Sequence, residues 1–92
     1  MPEMHARLRW PDGTTERVYS PSLVLAEYLE EGGRYPLEDF ARRSREALTE
    51  ASERVRAKYG FPCSRAAASL AGIEAAVARQ RDGEVLVEAL ER

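Results

Sequence analysis

The chain has 92 residues with 14 cationic and 16 anionic side chains, a formal net charge of −2, so no global field draws it toward nucleic acid or an anionic membrane. That length suits a single domain, residues 1-92, with a core of roughly 15 to 20 side chains, small enough for burial against a partner to matter. A lone cysteine excludes an intramolecular disulfide, and no apolar run approaches the roughly 20 residues that cross a bilayer.

The amino terminus, Met1-Pro2-Glu3-Met4-His5, lacks the charged and apolar regions of a secretory signal, and a cytoplasmic protein is expected. From Met4 to Trp10 the residues alternate. Met4, Ala6, Leu8 and Trp10 share one face and His5, Arg7 and Arg9 the other, the period of a half-buried strand. Pro11-Asp12-Gly13-Thr14 is turn chemistry, and Glu16 to Tyr19 resumes the extended pattern, giving an antiparallel hairpin.

Ser20-Pro21-Ser22 offers a helix cap followed by proline at the first helical position, where its missing N–H costs nothing. A short helix to about Glu31 follows, with Leu25, Tyr28 and Leu29 on one face. Leu23-Val24-Leu25 suits a strand equally well, and Gly32-Gly33 would stop either. Pro36 then opens the main helix, in which Leu37, Phe40, Ala41, Ala47, Leu48, Ala51 and Val55 form one apolar stripe. Glu38 with Arg42, Asp39 with Arg43 and Glu50 with Arg54 have i,i+4 spacing, each pair adding roughly 0.2 to 0.5 kcal/mol to an exposed helix. Gly60 supplies the left-handed stop and Pro62 forbids simple continuation.

A second long helix runs from Cys63 or Ser64 to Gln80, with Ala67, Leu70, Ala71, Ile73, Glu74 and Val77 marking its period and many alanines permitting close approach to the first. Asp82-Gly83 ends it, and the β-branched run Val85-Leu86-Val87 returns as a third strand. The expected fold is α+β and two-layered: a β-hairpin plus a carboxyl-terminal strand form a small antiparallel sheet, packed on a long helical hairpin. No internal repeat, linker or low-complexity segment interrupts it.

Chemistry concentrates between Arg54 and Arg65, where one helix ends and the next begins. Cys63 sits there at a predicted helix start, among Arg54, Arg56, Lys58 and Arg65, conditions that favour a thiolate. A reactive or redox thiol would need a base, however, and the sole histidine, His5, sits on a strand that nothing in the sequence places beside Cys63; a free cysteine also serves as a small packing group. One Cys and one His fall short of a zinc site. There is no glycine-rich phosphate loop, serine elbow or cysteine tandem, so neither metal nor cofactor is expected.

Both predicted helix starts, Ser20 with Ser22 and Cys63 with Ser64 and Arg65, present hydroxyls and free N–H groups suited to a small anion. The plainer roles are caps for Ser20 and Ser64 and a salt bridge for Arg65. Trp10 and Tyr19 are candidate contact residues, Trp10 because it ends an edge-capable strand, and an unpaired strand edge suggests a homo-oligomer. The arginine-rich helix alternates its cations with Glu38, Asp39, Glu46, Glu50 and Glu53, so it forms no continuous basic stripe for nucleic acid. Thirteen arginines against one lysine, with asparagine absent, fit a GC-rich bacterial genome.

Several blocks carry a family resemblance: Arg9-Trp10-Pro11-Asp12-Gly13, Tyr19-Ser20-Pro21-Ser22, Glu27-Tyr28, Tyr35-Pro36-Leu37, Arg43-Ser44-Arg45 and Arg54 through Arg65. Across about residues 1 to 75 the chain resembles a family of small bacterial nitrogen-starvation-response proteins. The resemblance implies a gene context: a nitrilase, a radical-SAM protein, an acetyltransferase, a flavoprotein and a purine-synthetase-like protein, in clusters that scavenge nitrogen from nitriles or cyanide. The small size and the missing catalytic set fit an accessory or interaction protein working with enzymes of such a cluster, with a small enzyme using Cys63 as nucleophile or redox thiol as the alternative. The resemblance carries no catalytic residue onto this chain.

Overall fold

A computed structural model of the chain describes residues 3–61 and 63–91. Pro62, the expected helix breaker, and the first two residues of the terminus lie outside the described residues. The elements, in order, are β1 (Met4–Arg9), β2 (Thr15–Ser20), α1 (Leu25–Tyr28), β3 (Arg34–Pro36), α2 (Leu37–Tyr59), α3 (Ser64–Arg79) and β4 (Glu84–Glu91). The four strands form one antiparallel sheet in the order β2-β1-β4-β3, with the helices on one face. This is the α+β architecture the sequence predicts, with one strand more than expected.

The β1–β2 hairpin closes as its turn chemistry dictates. The Gly13 N–H donates to the Trp10 carbonyl and the Trp10 N–H to the Thr14 carbonyl, and the Asp12 carboxylate accepts from the Thr14 N–H at 3.0 Å and its hydroxyl at 2.7 Å. The alternation in β1 puts Met4, Ala6, Leu8 and Trp10 into the core. Val18 and Ser20 of β2 lie beside them, opposite Ala6 and Met4. On the outward face, Arg9 and Arg17 pair with Glu88 and Glu91 at 2.8 and 2.7 Å. A register shift between Arg7 and Leu8 leaves Glu88 as the extra residue of β4, reached by both Arg7 and Arg9.

Three expectations need correction. The segment after β2 holds only a four-residue helix, and its amino-terminal boundary residue is Val24, not Ser20. Pro21 therefore does not open it. The segment after Gly33, where no strand was expected, is strand β3, which pairs Tyr35 with Val85 on the sheet edge; three residues ending in a proline are too short for a period-two signal, and an edge is where proline is tolerated. Finally, Arg42 bonds Asp39 and lies 3.7 Å from Glu46, not beside Glu38, while the expected Asp39–Arg43 and Glu50–Arg54 pairs form at 2.8 and 3.4 Å.

α2 spans 23 residues, about 34 Å at the helical rise, against a longest molecular dimension of 38 Å. Its buried stripe is Phe40, Ser44, Ala47, Leu48 and Ala51. The α3 stripe is Ala66, Ile73 and Ala76, flanked by half-buried Leu70 and Val77, so the helix is rotated from the expected face and Ala67 and Ala71 are exposed. Alanine at the two ends of that stripe lets α3 lie close against its neighbours, and size rather than hydrophobicity sets the rotation. Gly83, at φ +109°, ends the crossing to β4; a Cβ there would stand 2.9 Å from Pro11 Cβ, so the two turns touch. Gln80 donates to Asp12 Oδ2 at 3.2 Å across the same junction.

Candidate functional site

The predicted site residues divide between a closed turn and an open corner. Ser20 and Ser22 are buried at 0% and 4% exposure. The Ser20 hydroxyl donates to the Ser22 carbonyl at 2.8 Å, and Ser22 Oγ accepts from the Val24 N–H at 3.3 Å. Both hydroxyls therefore serve a local side-chain turn, in the manner of serines that stabilise a bend by bonding nearby backbone. Neither one caps α1, which has no side-chain cap, and neither faces solvent where an anion would arrive.

The open corner forms where α3 begins against β2. The Cys63 N–H donates to Ser52 Oγ of α2 at 3.3 Å, which ties the two helices across their connection. Cys63 is the boundary residue of α3, and no side chain caps the helix, so Ser64 is an exposed first-turn residue and not a cap. Arg65, one turn-position on, reaches round the edge strand. Its guanidinium carbon sits 3.7 Å from the centre of the Tyr19 ring instead of bridging to a glutamate. Such contacts contribute roughly 0.5 to 1 kcal/mol at exposed sites. On the neighbouring strand, His5 stands opposite Tyr19 in register and meets its ring edge-on at 5.7 Å.

Tyr19 is the centre of this corner. Burial raises the pKa of its phenol above the ordinary value; Arg65 opposes that, while Glu3 and Cys63 reinforce it. Sequence reasoning singled out Tyr19, Cys63 and Arg65 separately but missed that Glu3 and His5 join them, because only strand register brings residues 3 and 5 beside residue 19. Cys63 is half-buried, and among the described residues its sulfur makes no hydrogen bond to His5 or a carboxylate. Nor is there, among them, any group of three or more His, Cys, Asp or Glu side chains placed to hold a metal ion.

Trp10 corrects a further expectation. It is 3% exposed and packs edge-on against Phe40, ring centres 5.6 Å apart, with its indole N–H donating to Glu16 Oε1 at 3.0 Å. It belongs to the core and offers no contact surface, because it points with Leu8 toward α2. The large apolar side chains that are exposed among the described residues are instead Tyr59 and Phe61, at 51% and 63%. At the opposite end of the helical pair, an open groove of about 790 Å³ runs between Leu37, Ala41, Arg42, Arg45, Val77 and Arg81, far from the cysteine. No helix among the described residues is long and apolar enough to cross a membrane.

The family model for the nitrogen starvation-induced protein NitG matches residues 5–90. The chain belongs to the NitG family. That match extends beyond the motif blocks of the sequence and takes in β4, the strand that sits between β1 and β3 in the sheet. The α2–α3 connection and the Tyr19 corner, apart from Glu3, fall within the NitG match. Comparison with curated proteins and with solved structures gave no match.

Proposed function

We propose that this NitG-family chain is a non-catalytic accessory protein of the bacterial nitrogen-starvation response, working by contact with enzymes of a nitrile- or cyanide-scavenging gene cluster. The observation that carries the reading is membership of a family of nitrogen starvation-induced proteins over residues 5–90. The side-chain arrangement supports it. Ser20 and Ser22 are engaged with backbone, Arg65 lies over Tyr19, and nucleophilic catalysis at Cys63 would require a base within hydrogen-bond reach. In this reading the protein is cytoplasmic and homo-oligomeric, and any small anionic metabolite is held at Ser64 and the outward edge of Arg65.

The competing reading, a small enzyme with Cys63 as nucleophile, has in its favour that the thiol is half-buried beside Tyr19, not sealed in the core. Growth of a deletion strain on a scarce nitrogen source separates the two. Complementation by the native gene and by Cys63→Ser alike supports the accessory role. Complementation by the native gene with failure of a well-folded Cys63→Ser variant replaces it with the enzyme, and wild-type growth of the deletion strain removes the link to nitrogen supply altogether.

A further inference from the structure

The tip of the helical hairpin carries a charge and an apolar surface that the fold itself does not use. From Arg54 to Ile73 the sequence holds four cations, Arg54, Arg56, Lys58 and Arg65, and no acidic residue. The remaining ten cations and all sixteen acids lie outside that stretch, so this segment of the chain carries net positive charge. Some of that charge is answered locally: Arg54 lies 3.6 Å from Glu27 and 3.4 Å from Glu50, and Arg56 lies 3.9 Å from Glu53. Lys58 and Arg65 have no acidic partner among the described residues and instead lie over the rings of Tyr59 and Tyr19.

Every residue from 56 to 61 is exposed, so the last turn of α2 projects beyond the core. At its end stand Tyr59 and Phe61, with Gly60 between them at φ +85°, where α2 terminates by a bond from its N–H to the Arg56 carbonyl. A positive φ turns the chain sharply and sets the two rings on successive arms of one bend. Aromatic rings flanked by arginine are the side chains that dominate protein interfaces when seated in a pocket.

We propose that this tip is a docking element for a protein partner whose surface is acidic around an apolar pocket, Phe61 and Tyr59 entering the pocket and Arg56, Lys58 and Arg65 meeting the acidic rim. The inference rests on the accessory reading above and names the surface that serves it. Two rings supply too little apolar area to hold the protein on a bilayer, where even a single acyl chain binds marginally. A second copy is also a poor occupant. Basic tip against acidic body is a head-to-tail contact, which propagates unless a rotation closes it.

The test is site-specific photo-crosslinking in nitrogen-starved cells, using the full chain with p-benzoylphenylalanine in place of Phe61, of Arg34 on the open sheet face, or of Arg45 in the groove. The expected result is a protein adduct from position 61 alone, mapping to a peptide rich in Asp and Glu, and reduced at least about tenfold in a Tyr59→Ala background. With the captured protein purified, its affinity for the native chain should fall as salt rises from about 0.1 to about 0.5 M. Adducts from position 34 or 45 only would overturn the tip while leaving the accessory role standing. No protein adduct from any of the three positions, in cells whose growth still depends on the gene, would sink both. A lipid, nucleic-acid or self adduct at position 61 would overturn the proposed partner.

Discussion

The two ends of the α2–α3 hairpin are built to different specifications. At the base, where α2 begins and α3 ends, every connection is tied to the sheet: β3 runs into α2 through Pro36, Gln80 bonds Asp12, and Gly83 abuts Pro11. At the tip, the ties are the Cys63–Ser52 bond and the Arg65–Tyr19 stack, and residues 56–61 stand clear of the core. The base is therefore fixed by folding, whereas residues 56–61 at the tip stand outside the packed core. Residues that stability does not need are the ones through which a small protein can meet a partner.

The largest effect should separate the ends directly. Phe40 is fully buried under Trp10, and Phe40→Ala should cost about 3–5 kcal/mol in chemical denaturation. Phe61→Ala, removing the same ring from an exposed tip, should change stability by no more than about 0.5 kcal/mol. A loss above about 1 kcal/mol at Phe61 would mean that the tip packs in solution and would collapse the distinction. Glycine sharpens the same contrast. Gly83→Ala combines a positive φ with a clash against Pro11 and should cost about 2–3 kcal/mol, while Gly60→Ala, equally positive in φ but open around its Cβ, should cost about 1 kcal/mol.

Those residues also show what a sequence can disclose. β1 announced its core face because strict alternation has one interpretation, and Asp12-Gly13 marked the turn by its backbone chemistry. Strand β3 could not be read, since three residues carry no period, and its position beside β4 is set by a partner fifty residues away. The site was legible in the same proportion. Arg65, Cys63 and Tyr19 each drew notice by residue type, but their meeting depends on where α3 leaves the tip. Trp10 misled because an aromatic at a strand end is equally a core residue when the strand's inward face includes it. Ser20-Pro21-Ser22 misled because a capping signal and a buried serine turn use the same hydroxyl.

Within the core, Ser44 is the odd member of the α2 stripe: fully buried, with Oγ lacking a hydrogen-bond partner among the described residues. A buried hydroxyl without a partner carries a desolvation penalty that a methyl does not. Ser44→Ala should therefore stabilise the protein by about 1 kcal/mol, read as a raised denaturation midpoint at unchanged slope. An equal loss would show that the hydroxyl finds a bond in solution. At the tip side, the Arg65–Tyr19 contact should yield a coupling of about 0.5–1 kcal/mol in a double-mutant cycle of Arg65→Met and Tyr19→Leu. A coupling near zero would leave α3 held at that end by Ser52 and Cys63 alone.

The smallest effect concerns the first turn of α2, at the base. Asp39 has its pKa lowered, first by the hydrogen bond from Arg43 and then by Arg42, with partial desolvation opposing them. A carboxylate whose folded pKa lies below its unfolded value binds fewer protons in the native state. Its stabilising contribution is fully present above the unfolded pKa and disappears as pH falls through the folded one. Native protein should then exceed Asp39→Asn in stability by a constant small margin from about pH 5 upward, and the two curves should converge as pH drops below about 4. Because the pair is exposed, added salt should narrow the margin as well. A margin that persists at low pH would mean that charge is not involved, and that the base is held there by the shape of the Asp39 side chain.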